Sequence, residues 1–275
     1  MKIKDKNIVI TGGASGIGKA MAESFSHHKA NSIVVVDINE SLLNETRKDI
    51  DAIPIVADVS NENEILRIID IAKERVGNID IFCSNAGIGG APGLINTSQE
   101  DWQTIWQVNV MSHIYAAKHL IPSMIKQGGG YLVNTASAAG LLTQIGSAGY
   151  SVTKSAAISF AEWLKITYGE RGIGVSCLCP QGVSTSMVND APKVIKDIVS
   201  IDGILEPSVV AEDVIKAIEN DVFLITPHKQ VMDYIKMKST QPDTWISAMQ
   251  NLQSQFIDGI SAAAPEDYNI SQEDE

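Results

Sequence analysis

The chain has little cysteine, three residues in 275. Cys83, Cys177 and Cys179 fall in apolar, strand-like stretches. An odd number gives no disulfide framework, so a reducing compartment, the cytoplasm, is expected. Cys177 and Cys179 would face one side of a strand as buried thiols, with no neighbouring His or second Cys pair to complete a metal set. Basic residues are also scarce: 21 Lys and Arg stand against 33 Asp and Glu, a formal charge of -12, with no basic cluster. Duplex nucleic acid and anionic membranes are therefore not expected partners. A long membrane-spanning run is missing too. The longest charge-free stretch, 127–153, holds six glycines together with Asn134 and Gln144, which makes a poor span. Lys2, Lys4 and Lys6 are followed by no apolar h-region, so no secretory signal is expected.

With 44% apolar and 20% charged residues, the composition is that of a globular protein able to bury a full core. The acidic surplus is uneven. Residues 258–275 hold six carboxylates and no base, half of the whole imbalance. Short apolar runs without strict alternation recur at Asn7 to Thr11, Ile33 to Val36, Ile53 to Ala57, Ile79 to Ser84, Tyr131 to Asn134 and Val175 to Leu178. They suit strands buried on both faces. Segments of helical spacing lie between them: Gly16 to His28, Glu40 to Ile50, Asn61 to Arg75, Gln99 to Gln127 and Gly149 to Tyr168. A further helix, Ser208 to Asn220, and a last strand, Val222 to Thr226, complete the pattern. The alternation predicts an α/β protein of the Rossmann type, a doubly wound parallel sheet of about seven strands with helices on both faces. No linker, repeat or low-complexity block divides it. Residues 1–226 read as one domain and 227–275 as a C-terminal extension, with a helix around Thr244 to Ile257 and then the acidic end.

The first strand runs into Thr11-Gly12-Gly13-Ala14-Ser15-Gly16-Ile17-Gly18 and then a helix. Glycines there permit a tight turn and close backbone approach, and the helix N-terminus offers free N–H groups to a pyrophosphate. Taken alone, this turn also fits a plain strand-to-helix connection. Asp37 ends the second strand, 19 residues after Gly18. A carboxylate there can accept hydrogen bonds from both ribose hydroxyls of an adenosine, and it repels a 2'-phosphate. Neither Ser15 nor Ile38 supplies a cation to hold that phosphate, so NAD is expected over NADP.

The turn resembles that of the short-chain dehydrogenase/reductase family. The likeness continues in order through Asp58-Val59, Asn85-Ala86-Gly87, Asn109, Ser137, Tyr150-Ser151-Val152-Thr153-Lys154 and Pro180-Gln181-Gly182-Val183-Ser184-Thr185, covering residues 5 to about 226. By that resemblance Gly12, Ser15, Gly16, Ile17 and Gly18 form the phosphate turn, and Asp58 and Val59 lie against the adenine. Asn85, Ala86 and Gly87 run beneath the cofactor, which Pro180 also adjoins, while Val183 and Thr185 hold the nicotinamide carboxamide. Two departures stand out. Ser84 replaces a usual asparagine, and Gln181 replaces the usual glycine after the proline, which bears on substrate access beside the nicotinamide.

Tyr150 and Lys154, four apart, share one helix face and can converge on one cofactor ribose. A free phenol has a pKa of about 10, and an ammonium at about 5 Å is expected to lower it by about two units, toward the range where a general base works. The resemblance gives Ser137 a hydrogen bond to the substrate oxygen. It gives Asn109 a water leading to the lysine. The expected reaction is reversible hydride transfer between a secondary alcohol and a ketone, with Tyr150 as the acid/base and NAD as cofactor. The expected partner is a small alcohol or ketone, and the assembly a homodimer or homotetramer. A non-catalytic NAD-binding sensor or scaffold and an NADP-linked ketoreductase are the alternatives.

Three loops should close over the nicotinamide. Ile88, Leu94, Leu141, Leu142 and Ile145 suggest an apolar substrate, with Gln144 or Thr143 as polar contacts. Trp102 and Trp106, one turn apart, are expected to pack between helices or subunits. The five histidines show no metal spacing and none is expected to be catalytic. In the extension, Tyr234 to Ile257 reads as a lid or intersubunit helix, and the charge-rich end as a solubilising or disordered tail.

Overall fold

The computed structural model describes residues 1–268. Seven strands form one sheet: β1 (Asn7–Thr11), β2 (Ser32–Asp37), β3 (Ile53–Val56), β4 (Ile81–Ser84), β5 (Gly130–Thr135), β6 (Ile173–Leu178) and β7 (Leu224–Ile225). Their order is β3-β2-β1-β4-β5-β6-β7, and every pairing is parallel. Parallel neighbours need crossovers, and helices supply them. They are α1 (Gly16–His27), α2 (Glu40–Ile50), α3 (Glu62–Val76), α4 (Gln99–Trp106), α5 (Ser112–Lys126), the short α6 (Ala138–Leu142) and α7 (Ala148–Tyr168). The chain continues with α8 (Ser186–Asn189), α9 (Lys193–Val199) and α10 (Pro207–Asn220).

Alternate strand residues feed two cores, which is why the strands read as unbroken apolar runs. Ile8, Ile10, Val35 and Cys83 pack with Met21, Phe25, Val214 and Ile218 of α1 and α10. Val9, Val34, Phe82 and Leu132 pack on the other face with Ile68, Leu120, Ala157 and Leu164. Cys177 and Cys179 face one side of the sheet, fully buried, with Sγ atoms 3.8 Å apart. Local chemistry sets the helix starts. Asn39 caps α2 through the Leu42 N–H, Asn61 caps α3, and Ser98 with Asp101 makes a capping box on α4.

Gln99 to Gln127 reads as one helix from its spacing. In the fold α4 and α5 are separated by a π-helical turn, Gln107–Met111, which contains Asn109. The extension also differs from its reading. Tyr234 to Ile257 is two helices, α11 (Gln230–Thr240) and α12 (Pro242–Gln255), because Pro242 has no N–H to continue the first and instead opens the second. This hairpin buries Val231 and Trp245 against Ala138 and Leu142 of α6. The acidic end is ordered as far as it is described. Two more helices, α13 (Ile257–Ala263) and α14 (Pro265–Tyr268), pack back on the domain, while Glu273, Asp274 and Glu275 lie outside the described residues. Among the described residues no helix is long and apolar enough to cross a membrane.

Candidate active site

The sheet order reverses between β1 and β4, and the strand ends diverge there into a crevice. Side-chain hydrogen bonds hold its rim. The Thr11 hydroxyl donates to the Cys83 carbonyl and accepts the Asn85 and Ala86 N–H groups at 2.9 and 3.1 Å. The Asn85 amide donates to the Thr11 carbonyl at 3.0 Å and accepts the Thr135 hydroxyl at 3.1 Å. Three strand ends are thereby pinned together. The resulting cleft has a volume of about 380 Å³.

The cleft brings most of the sequence-expected residues to one place. Gly12, Ser15, Gly16, Ile17, Asp37, Asp58, Val59, Asn85, Ala86, Gly87, Ser137, Tyr150, Lys154, Pro180, Val183 and Thr185 all line it. Gly18 and Asn109 are not on its wall. Gly18 lies under the turn, where an added Cβ would run into the Gly12 carbonyl, so its place is in closing the strand-to-helix bend. Gly12 has φ +63°, and its Cβ would lie 2.9 Å from Ala86 Cα. Asn109 is fully buried and behaves like a strand neighbour: its Oδ1 accepts the Ile88 N–H at 2.9 Å, and its Nδ2 donates to the Ile88 carbonyl at 3.0 Å.

Three features make this cleft fit a dinucleotide. No side chain caps the first turn of α1 and no acid lies in it, unlike α2, α3 and α4, so its N–H groups remain for an anion. The glycine turn leaves the backbone bare. At the far end Asp37 is steered by two N–H groups, Ala14 at 3.2 Å and Asn39 at 3.1 Å, one to each carboxylate oxygen, with the exposed Ile38 beside it.

A second cavity of about 540 Å³ adjoins the first and shares Ser137, Tyr150 and Gln181 with it. Small and apolar residues form most of its wall, including Gly89, Gly90, Pro92, Ala138, Met187 and Ile195. This corrects the expected lining. Ile88 lines the cleft instead, and Leu94 is exposed. Leu141 and Leu142 pack under the α11/α12 hairpin, and Ile145 packs on α13. Of the two expected polar contacts, Gln144 is on the wall and Thr143 is not. The side chain of Gln181 is turned aside. Its Nε2 donates to Asp202 at 2.9 Å, Asp202 accepts the Tyr234 hydroxyl at 3.0 Å, and the Gln181 N–H donates to His228 Nδ1.

Tyr150 and Lys154 lie near the start of α7. The Lys154 ammonium sits 5.6 Å from the centre of the Tyr150 ring and donates to the Thr135 carbonyl at 3.1 Å. The expected lowering of the phenol pKa by the ammonium is not found in this environment. Burial pushes the phenol above 10, opposed by the Ser137 hydroxyl, and the same burial pushes Lys154 down to about 8. Desolvation disfavours both ions.

Sequence reasoning missed several supporting residues. Thr11 stands in the glycine motif but has no assigned role in it, and Thr135 is an ordinary strand end until its carbonyl is seen under Lys154. Thr153 accepts from Asn109 Nδ2 at 3.3 Å. His113, one turn beyond Asn109, is buried with Nδ1 3.0 Å from Asn134 Oδ1.

The family model described as short chain dehydrogenase matches residues 6–195, and the chain belongs to that family; its role is that of a dehydrogenase/reductase. The chain is similar to short chain aldehyde dehydrogenase 1 of Euphorbia lathyris, with 32% identity over 236 residues, 78% of this chain and 81% of the relative. It is 30% identical to meso-2,3-butanediol dehydrogenase of Serratia marcescens over 200 residues, 72% and 79% of the two chains. The crystal structure of a short chain dehydrogenase/reductase from Burkholderia phymatum in complex with NAD superposes with a TM-score of 0.83 at 27% identity, covering 89% of this chain and 96% of the other.

Proposed function

Starting from that membership, we propose that the protein is an NAD-dependent oxidoreductase interconverting a secondary alcohol and a ketone, with a largely apolar small-molecule substrate. The observation that carries this reading is that Ser137 and Tyr150 border the cleft and the cavity at once, where a substrate oxygen would meet the cofactor. NAD, when bound, supplies the nicotinamide carbon that takes a hydride from the carbinol carbon or returns it to the ketone. Tyr150 takes the hydroxyl proton in oxidation and gives it back in reduction. Ser137 hydrogen-bonds the same oxygen and fixes it against the phenol. Lys154 brings positive charge beneath the ring, where charge counts most because water is excluded. Asn109 keeps the Ile88 backbone in place, and its Oδ1 and the Lys154 ammonium lie 3.2 and 3.1 Å from where a Cβ on Gly87 would stand. That closeness supports the water-positioning role which the family likeness gives it.

Asp37 supports NAD over NADP: it lines the cleft at the end of β2, where its carboxylate would accept the ribose hydroxyls of an adenosine, and Ser15 and Ile38 offer a 2'-phosphate no cation. The apolar cavity supports a substrate of that character. The same reading includes assembly as a homodimer or homotetramer.

Purified protein should form NADH from NAD with members of a panel of apolar secondary alcohols, and do so poorly with NADP. Equal turnover with the two cofactors would remove the role given to Asp37. NAD binding without turnover across the panel would replace the enzyme by a nucleotide sensor.

A further inference from the structure

We propose that Asp267, in the acidic C-terminal segment, is a positioning residue for the substrate: it clasps the loop that forms one wall of the 540 Å³ cavity. The inference rests on reading that cavity as the substrate site. Asp267 uses both carboxylate oxygens on one short stretch of backbone. Oδ2 accepts the Leu94 N–H at 2.6 Å and Oδ1 accepts the Ile95 N–H at 2.7 Å. Bonds from backbone N–H groups to an ionised carboxylate are short and strong among protein hydrogen bonds. The stretch they hold follows directly on Gly89, Gly90 and Pro92, which line the cavity.

The loop is shaped to receive that carboxylate. Gly93 has φ +74°, a conformation L side chains avoid, and a Cβ there would collide with Asp267 Oδ2 and lie 2.7 Å from Ala264 Cβ. Its N–H donates to the Gly146 carbonyl at 3.1 Å, which ties the loop to a second part of the wall, Gly146 and Ser147. The segment before Asp267 reaches the third. Ile260 of α13 is buried among Ile145, Val194 and Ile198, and a Cβ on Gly259 would lie 2.8 Å from Val194 Cβ. Val194 and Ile198 belong to α9, whose Ile195 and Val199 face the cavity. Residues 257–267 therefore bind all three loops that form the cavity, and Asp267 is their polar fastening. The glycine turn, Asp37 and α1 of the cofactor cleft make none of these contacts; the cleft meets the cavity at Ser137, Tyr150, Gln181 and Ser186 to Val188.

Asp267→Asn tests this with little change of shape, because it keeps one acceptor and turns a donor toward the other N–H. In the full-length variant, amide hydrogen exchange at Leu94 and Ile95 should quicken about tenfold or more, with the glycine turn unchanged. KM for an apolar secondary alcohol should rise about tenfold, the weight of one hydrogen bond to a charged group, while KM for NAD stays within about twofold. Gly93→Ala should reproduce the split, and the double variant should be little worse than either single one, since both break the same contact. Unchanged exchange at the two amides would overturn the proposal. So would a rise in KM for NAD as large as that for the alcohol, which would mark general loosening. A wild-type protein that oxidises no alcohol would remove the function reading, and the exchange measurement would still decide whether Asp267 holds this wall.

Discussion

Tyr150 and Lys154 occupy a place where neither charge is favoured, and their work depends on what is bound beside them. With the phenol held above 10 by burial, a proton acceptor at neutral pH needs neighbouring positive charge in a dry site. Tyr150→Phe removes the acceptor and leaves the ring, so turnover should fall by a factor of about 10² to 10⁴, the usual weight of a general acid/base. NADH fluorescence should report binding nearly as tight as in the wild type, and wild-type turnover in the variant would sink the assignment. His113 allows a test by pH. Burial, with the Lys154 charge adding to it, lowers its pKa to about 3 from an ordinary 6.5. Between those values the unfolded chain binds a proton that the folded chain refuses, so stability falls as pH drops through 6.5 toward 3. The loss at pH 4.5 is on the order of 2–3 kcal/mol. Urea unfolding at pH 6.5 and 4.5 should show that loss in the wild type and a flatter dependence in His113→Gln; equal slopes would exclude His113 as its source. The sequence foretold neither environment. Spacing four apart gives a shared helix face, but burial is a property of what packs over that face.

Strands and crossover helices were legible because each is specified locally. Val-Ile runs make β1 and β2, Asn39 and Asn61 mark helix starts, and the glycine turn can only join a strand to a helix. Elements shaped by their neighbours were not. The π-helical turn that lets Asn109 bond to Ile88 leaves no period in the sequence that separates it from a regular helix. Leu141 and Leu142 look like pocket residues until α11 and α12 are seen packed against them. That hairpin supports the helix just after Ser137, and Lys238 of α11 donates to the Leu141 carbonyl at 2.6 Å. Trp245 fills the contact, buried and tilted at 43° to the Tyr234 ring. Trp245→Ala should destabilise the protein by about 3 kcal/mol, the lower end for a buried Trp, because this cluster is small and can partly close. KM for the alcohol should rise as α6 loosens. NADH affinity should change much less, since the glycine turn, Asp37 and α1 lie on other elements. A loss of NADH affinity matching the change in alcohol KM would show that the hairpin supports the whole fold rather than the Ser137 helix.

At the scale of the whole molecule, half of the -12 charge belongs to residues 258–275, and the outer face of α7 presents an exposed apolar strip. Val152, Ser155, Ser159, Trp163 and Ile166 recur at helical spacing along the outer face of α7 and carry no charge. Trp163 is 52% and Ile166 75% exposed, and Phe160 and Tyr168 pack around Trp163 as an aromatic group. A monomer would leave this strip in water, while a second copy would cover it through the same face on both chains, as two-fold symmetry requires. The opposite side of α7 carries Tyr150 and Lys154, so pairing here would stiffen the helix that positions both. Light scattering should therefore report a dimer or tetramer at micromolar concentration. Ile166→Glu with Trp163→Glu puts two like charges on the strip, four across a symmetric interface, and should shift the protein to smaller species with its circular dichroism unchanged. If pairing steadies α7, the dissociated variant should also lose part of its turnover while keeping its affinity for NADH. A wild-type protein that scatters as a monomer would leave the bare strip without this explanation.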